Sequence, residues 1–285
     1  MDLDAGRGRS WSSVLAAVAA VLFVGIAIAL VVSAQTAGRE RPLGERVAAF
    51  SPVAAAAEPV PADITTTVNP DATAVTGSES TETQTADPAP ADAPSTVQLV
   101  TADATWSART AAATGIPERA LRAYASAALT LKAEQPGCGL GWNTLAGIGA
   151  IESAHGTHSG GHLDAAGYPQ PAIRGIPLDG SASAEIADTD GGEWDGDATW
   201  DRAVGPLQFI PATWQRWGAD GNGDGVADPN QIDDAALAAG RYLCAAGEMT
   251  SATGWRRAIF SYNHLDSYVD DVAAAANTYA ARAAG

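Results

Sequence analysis

The chain has 285 residues, 46% hydrophobic and 6% aromatic, with a formal net charge of -17 at neutral pH. The length allows two domains, but so acidic a chain offers no basic patch for nucleic acid or an anionic membrane surface. The acidity is also local: eleven acidic residues lie between Asp188 and Asp234 against Arg202 and Arg216 alone, a clustering that is unfavourable unless solvated or neutralised by a cation.

Val14 to Val32 is an unbroken apolar run of 19 residues, preceded by Arg7 and Arg9. It is long enough to span a bilayer and longer than an ordinary signal core, so residues 1–37 are expected to form a signal anchor or a cleaved signal peptide. Either way the rest is exported, anchored to the membrane and facing the wall, or secreted. Residues 38–112 are rich in Ala, Pro, Thr and Ser with few large apolar side chains, and read as a disordered linker. Within it, Val97 to Val100 with Trp106 is the one stretch able to dock on the folded part, expected at 113–285.

Pro117 stands at a first helical position, and Leu121, Tyr124, Ala125, Ala128 and Leu129 repeat at helical spacing until Pro136-Gly137. A second helix is expected from a cap at Asn143 to Gly156. In it Leu145, Ile148 and Glu152 stand at i, i+3 and i+7 and share a face. A carboxyl on an apolar face has its charged form disfavoured by desolvation, so Glu152 is a candidate general acid; the alternative is a helix-end Glu reaching solvent. Gly156 to Val204 shows no sustained period and is expected to be a long functional loop with room for a small hairpin. Further helices are expected at Pro211 to Trp217, Asp234 to Ala246, Gly254 to Tyr262 and Leu265 to Ala283, the last with Tyr268, Val272, Ala276 and Tyr279 on one face. Without a strand pattern or repeat, the fold class is mainly α. Cys138 and Cys244, two cysteines in an exported domain, are expected to form a disulfide.

The run Asp220-Gly-Asn-Gly-Asp-Gly-Val226 has oxygen ligands at positions 1, 3 and 5, Gly at 6 and a backbone carbonyl at 7 of an EF-hand-like loop. Position 12 is Gln231 in place of a bidentate Glu. His155, His158 and His162 match no zinc spacing, and the Asp188 to Asp201 run is a cleft-lining, cation-binding or simply solvated segment.

Three motifs in order, Glu152-Ser153, then Gly205-Pro-Leu-Gln208-Phe209, then Tyr262-Asn263, resemble the lytic transglycosylases with a goose-lysozyme-like fold, and most closely the membrane-bound B type in an actinobacterial form. The resemblance runs from about Ile116 to Tyr279. It implies a lysozyme-like domain with Glu152 as the single acid/base and Ser153 beside it in support. It also implies Gln208, Tyr262, Asn263 and Tyr268 in contact with peptidoglycan glycan strands. The lengthened calcium loop of the B type places its last carboxylate at position 15, which assigns Asp220, Asn222, Asp224, the Val226 carbonyl and Asp234 to a structural Ca2+, with no organic cofactor. The implied reaction cleaves the MurNAc-β-1,4-GlcNAc bond to 1,6-anhydroMurNAc ends. The alternatives are a lysozyme-type hydrolase, for which Asp201 is the nearest second carboxylate, and a non-catalytic calcium-stabilised wall-binding module.

Overall fold

The computed structural model describes residues 60–63 and 99–285. The apolar run Val14 to Val32 and most of the expected linker lie outside the described residues; among the described residues no helix is long and apolar enough to cross a membrane.

Folded structure begins before residue 113. β1 (Ala62–Asp63) pairs antiparallel with β2 (Thr101–Ala102), and α1 follows at Ala104–Thr114. Asp103 caps α1 by accepting the Trp106 N–H at 2.6 Å, and Gly115 closes it in the left-handed region. The segment docks because Thr130 and Ser126 hydroxyls accept the N–H groups of Val100 and Ala102, both at 3.1 Å, while Trp106 packs edge-on against Trp142 with ring centres 5.7 Å apart. The linker expected through residue 112 therefore ends earlier, with Trp106 as the buried anchor.

α2 (Glu118–Glu134) buries Leu121, Tyr124, Ala125 and Ala128, as the spacing predicts. α3 (Trp142–Ser153) is the central helix, with Leu145, Ala146 and Ile148 completely enclosed. Asn143 is not its cap: the side chain is buried in the first turn, where Nδ2 donates to the Ala276 carbonyl at 3.3 Å. The long connection after α3 holds a small hairpin, β3 (His162–Leu163) against β4 (Pro169–Gln170). It is otherwise held by isolated bridges at Arg174 with Val204, Asp179 with Glu185 and Ala187 with Trp200.

α4 spans Pro211–Trp217. α5 (Ile232–Ala245) starts two residues before the expected Asp234, because the Gln231 side chain accepts the N–H groups of Asp233 and Asp234 at 2.6 and 3.0 Å. α6 (Ala252–Tyr262) is capped by Ser251, and α7 (Asp266–Ala283) buries Tyr268, Val272 and Ala276. Among the described residues this gives seven helices with α3 packed between α2 and α7. The disulfide Cys138–Cys244 joins the connection before α3 to the end of α5 across 106 residues, a loop long enough for about 5 kcal/mol of stabilisation in the chain-entropy model.

Candidate active site

Glu152 lies on the last turn of α3, and the helix stops abruptly there. Ala154, His155 and Gly156 all have positive φ, at 50°, 62° and 80°. Left-handed backbone at two non-glycine residues costs about 1 kcal/mol each and needs support. That support comes from the Ala154 and His155 N–H groups, which donate to the Ala150 and Gly149 carbonyls at 3.1 and 2.8 Å, and from the Ser153 hydroxyl, which accepts the Gly156 N–H at 2.7 Å. The helix thus ends with the Glu152 carboxyl turned toward α7, half-buried, where Oε1 accepts the Tyr268 hydroxyl at 2.5 Å.

Burial pushes the Glu152 carboxyl up to about 7, and the Tyr268 hydrogen bond pulls it back in part. Burial and the neighbouring Glu152 carboxyl hold the Tyr268 hydroxyl far above its ordinary range, so it remains a donor. No ion pair among the described residues involves Glu152. A carboxyl poised near neutrality, with one donor on one oxygen, is equipped both to give and to take a proton.

Three successive carbonyls bind the motifs together. Val204 and Phe209 pair across a tight turn, exchanging N–H···O bonds of 2.9 and 3.0 Å. Within the turn the Gly205 carbonyl accepts Gln208 Nε2 at 2.9 Å, the Pro206 carbonyl accepts the Ser153 hydroxyl at 2.6 Å, and the Leu207 carbonyl accepts the Tyr262 hydroxyl at 2.7 Å. Residues from all three sequence motifs therefore fix one turn beside Glu152. Gly205 has φ +76°, and a Cβ there would stand 2.0 Å from the Pro229 carbonyl oxygen, so only glycine fits. Gln208 itself has φ +52° and is half-buried.

This geometry divides the expected substrate-contacting set. Ser153 is buried, with its hydroxyl committed to Pro206 and Gly156, so it supports the site through the turn and makes no hydrogen bond to Glu152. Tyr262 likewise spends its hydroxyl on backbone, and Tyr268 spends its on Glu152. Asn263 closes α6, its N–H donating to the Ile259 carbonyl at 3.3 Å, and its half-buried side chain makes no hydrogen bond among the described residues. Asp201, the second carboxylate a hydrolase would call on, is bonded to Thr189. It is fully buried, and its two oxygens accept the N–H and hydroxyl of that residue, each at 2.8 Å.

The EF-hand-like loop is already curled. Asp220 accepts the N–H groups of Gly223, Asp224 and Gly225, Asn222 Oδ1 accepts that of Asp224, and Asp224 Oδ1 accepts that of Val226. Asp234, fully buried, accepts from Gly221, Asn222 and Asp228 and so ties α5 to the loop. Burial, with Asp220 nearby, pushes the Asp234 carboxyl up to about 7 against those three hydrogen bonds. The donors of this loop are all oxygens, the kind a hard divalent cation takes, but among the described residues the acidic side chains whose oxygens gather within 4.8 Å of one another are Asp188, Asp190 and Asp201, not Asp220, Asp224 and Asp234. Val226 contributes only a backbone carbonyl to such a set, its side chain being exposed. Gln231, at position 12, serves as the cap of α5 instead of a ligand.

Residues 186–278 match the family model described as a transglycosylase SLT domain. No curated protein and no solved structure matches the chain. The match supports a lytic transglycosylase family, and with it a glycan-cleaving action on peptidoglycan; the mainly helical architecture fits a lysozyme-like fold. The SLT match holds Gln208, Tyr262, Asn263, Tyr268 and both acidic loops, whereas Glu152 and Ser153 precede it. The bonds from Tyr268 to Glu152 and from Ser153 to Pro206 join the two parts into one site.

The histidines do not gather. His158 and His162 are exposed, whereas His155 is buried between Tyr124 and Tyr279. These two tyrosines were not singled out from the sequence as site residues. Their signal is a hydroxyl on the apolar face of each flanking helix, which needs a buried partner.

Proposed function

We propose that the protein is a peptidoglycan lytic transglycosylase of the membrane-bound B type, in its actinobacterial form, with Glu152 as its single acid/base. The observation that carries this reading is the half-buried Glu152 carboxyl, raised to about 7 and bonded by Tyr268 at the edge of a turn that all three motifs hold. Glu152 donates its proton to the glycosidic oxygen between MurNAc and GlcNAc as the C1–O bond breaks, and the substrate's own 2-acetamido oxygen stabilises the positive C1. The Glu152 carboxylate then takes the C6 hydroxyl proton, and the C6 oxygen closes on C1. One glycosidic bond is exchanged for a 1,6-anhydro ring, Glu152 returns to its starting protonation, and no water is consumed. Ordinary retaining glycosidases need a second carboxylate about 5 Å away as nucleophile; the commitment of Asp201 to Thr189 supports the route that does without one.

Gln208, held at the rim of the turn, and Asn263 are the groups left to hydrogen-bond the sugars, while Ser153 and Tyr262 keep the turn in place. Asp220, Asn222, Asp224, the Val226 carbonyl and Asp234 hold a structural Ca2+, which would neutralise the loop's carboxylates. Export by residues 1–37 would set the domain against the wall. Solubilisation of purified sacculi tests the reading: the wild-type protein clears a sacculus suspension and Glu152→Gln does not, since an amide of the same volume cannot donate the proton. Clearance by Glu152→Gln at the wild-type rate would remove Glu152 from the chemistry.

A further inference from the structure

We propose that His155 is a positioning residue for Glu152, its buried imidazole tying the end of α3 to α7 so that the carboxyl stays against the Tyr268 hydroxyl. The inference rests on the acid/base reading of Glu152. His155 is 7% exposed, and both ring nitrogens have partners: Nε2 lies 2.9 Å from the Tyr279 hydroxyl on α7, and Nδ1 lies 3.4 Å from the Tyr124 hydroxyl on α2. A neutral imidazole has one donor and one acceptor nitrogen, so it can serve one hydroxyl each way. Burial pushes its titration down to about 4, which leaves it neutral near physiological pH.

The placement of these groups gives them leverage on Glu152. Gly149 and His155 stand three residues before and after it, and both meet the same hydroxyl. A Cβ on Gly149 would lie 2.0 Å from the Tyr124 oxygen, so that oxygen rests on the α3 backbone itself. On α7, Tyr268 and Tyr279 are eleven residues apart, about three turns, and so share a face. At its C-terminal end α3 is thus linked to one face of α7 twice, by Glu152 to Tyr268 and by His155 to Tyr279, besides the Asn143 bond to the Ala276 carbonyl at its start. If the second link is lost, the turn that ends α3 is freed from α7, and the 2.5 Å bond at Glu152 loses its support. The groups facing Glu152 are the Tyr268 hydroxyl from α7 and the Tyr262 hydroxyl from α6.

The positive φ of His155 provides the discriminating experiment. Asparagine is well suited to left-handed backbone but is too short to reach Tyr279, whereas glutamine reaches farther and suits that backbone less. Full-length His155→Gln, His155→Asn and Tyr279→Phe would be compared for kcat and KM on purified glycan strands, and for the titration midpoint of a 13C-labelled Glu152 carboxyl. If His155 positions Glu152, His155→Asn and Tyr279→Phe lose about tenfold in kcat with KM within about twofold, the pattern of a misplaced reacting group. Their Glu152 midpoint rises as the Tyr268 bond is lost, and His155→Gln stays near wild type in both readouts. Activity of His155→Asn equal to or above that of His155→Gln would overturn the proposal in favour of a purely backbone role, and an unmoved Glu152 midpoint in Tyr279→Phe would overturn it independently. Absence of cleavage by the wild-type protein would instead fail the transglycosylase reading, while the carboxyl titration would still decide the positioning role.

Discussion

Replacing Glu152 by Gln is expected to make the protein more stable as well as inactive, and only above a definite pH. Burial lifts the carboxyl from an ordinary 4.5 to about 7. At about 1.4 kcal/mol per pKa unit, the ionised group in the folded protein lies on the order of 3 kcal/mol above its solvated reference, less whatever the open side of the half-buried site screens. The sign follows from a folded-state pKa that is raised. Below about 4.5 the acid is neutral in both states and costs nothing; as the pH rises through about 7 that stability is lost. The amide never ionises and still presents an oxygen to Tyr268. Glu152→Gln should therefore raise the melting temperature by several degrees at pH 8, since a domain of this size gains about 2–4 °C per kcal/mol, and leave it nearly unchanged at pH 4.5. Differential scanning calorimetry of both proteins at the two pH values measures this directly. A shift of equal size at both, or a less stable variant at pH 8, would refute the burial argument.

The other expectations concern the surroundings of the same carboxyl. Tyr268→Phe removes the one hydrogen bond that lowers the Glu152 pKa, so the alkaline limb of kcat/KM should move to higher pH with a fall in kcat of about tenfold; an unchanged limb would disconnect Tyr268 from Glu152. Gly205→Ala should destabilise by about 2 kcal/mol or more, because its Cβ meets the Pro229 carbonyl at a positive φ, and urea unfolding checks this. Calcium should raise the melting temperature of the wild-type protein by mass action and not that of Asp224→Ala; identical curves in EDTA and in calcium would reduce the loop to a solvated acidic turn.

Much of the fold was legible because its helices carry their own periodic apolar faces. α2 and α7 are read directly from Leu121, Tyr124, Tyr268 and Val272, and α4 matches its expected span. α1 was not legible. Its packing face is Trp106, Ser107, Thr110, Ala111 and Thr114, at helical spacing but, apart from Trp106, made of small and hydroxyl residues like those of the preceding linker, so the face lacks the apolar contrast that marks a helix in sequence. Asn143 misled because an Asn before an apolar run is an ordinary cap, whereas here the buried contact with Ala276 takes the side chain. In the site, the lone carboxyl on an apolar face singled out Glu152 as a candidate, and the three-motif order singled out residues that the structure places around the same turn. Their division of labour lay out of reach, since it depends on side chains meeting backbone carbonyls of residues about 50 positions away. The His155 link lay out of reach for the same reason, with partners 31 and 124 residues distant.

The central claim is that Glu152 works alone and closes a ring, and the products of sacculus digestion test it most directly. Mass spectrometry of the released muropeptides is predicted to show 1,6-anhydroMurNAc ends, lighter by one water than the hydrolysed species, because in the proposed mechanism the substrate's C6 hydroxyl closes on C1 in place of a second carboxylate or water. Reducing MurNAc ends as the dominant product would contradict the account and assign the site to a lysozyme-type hydrolase.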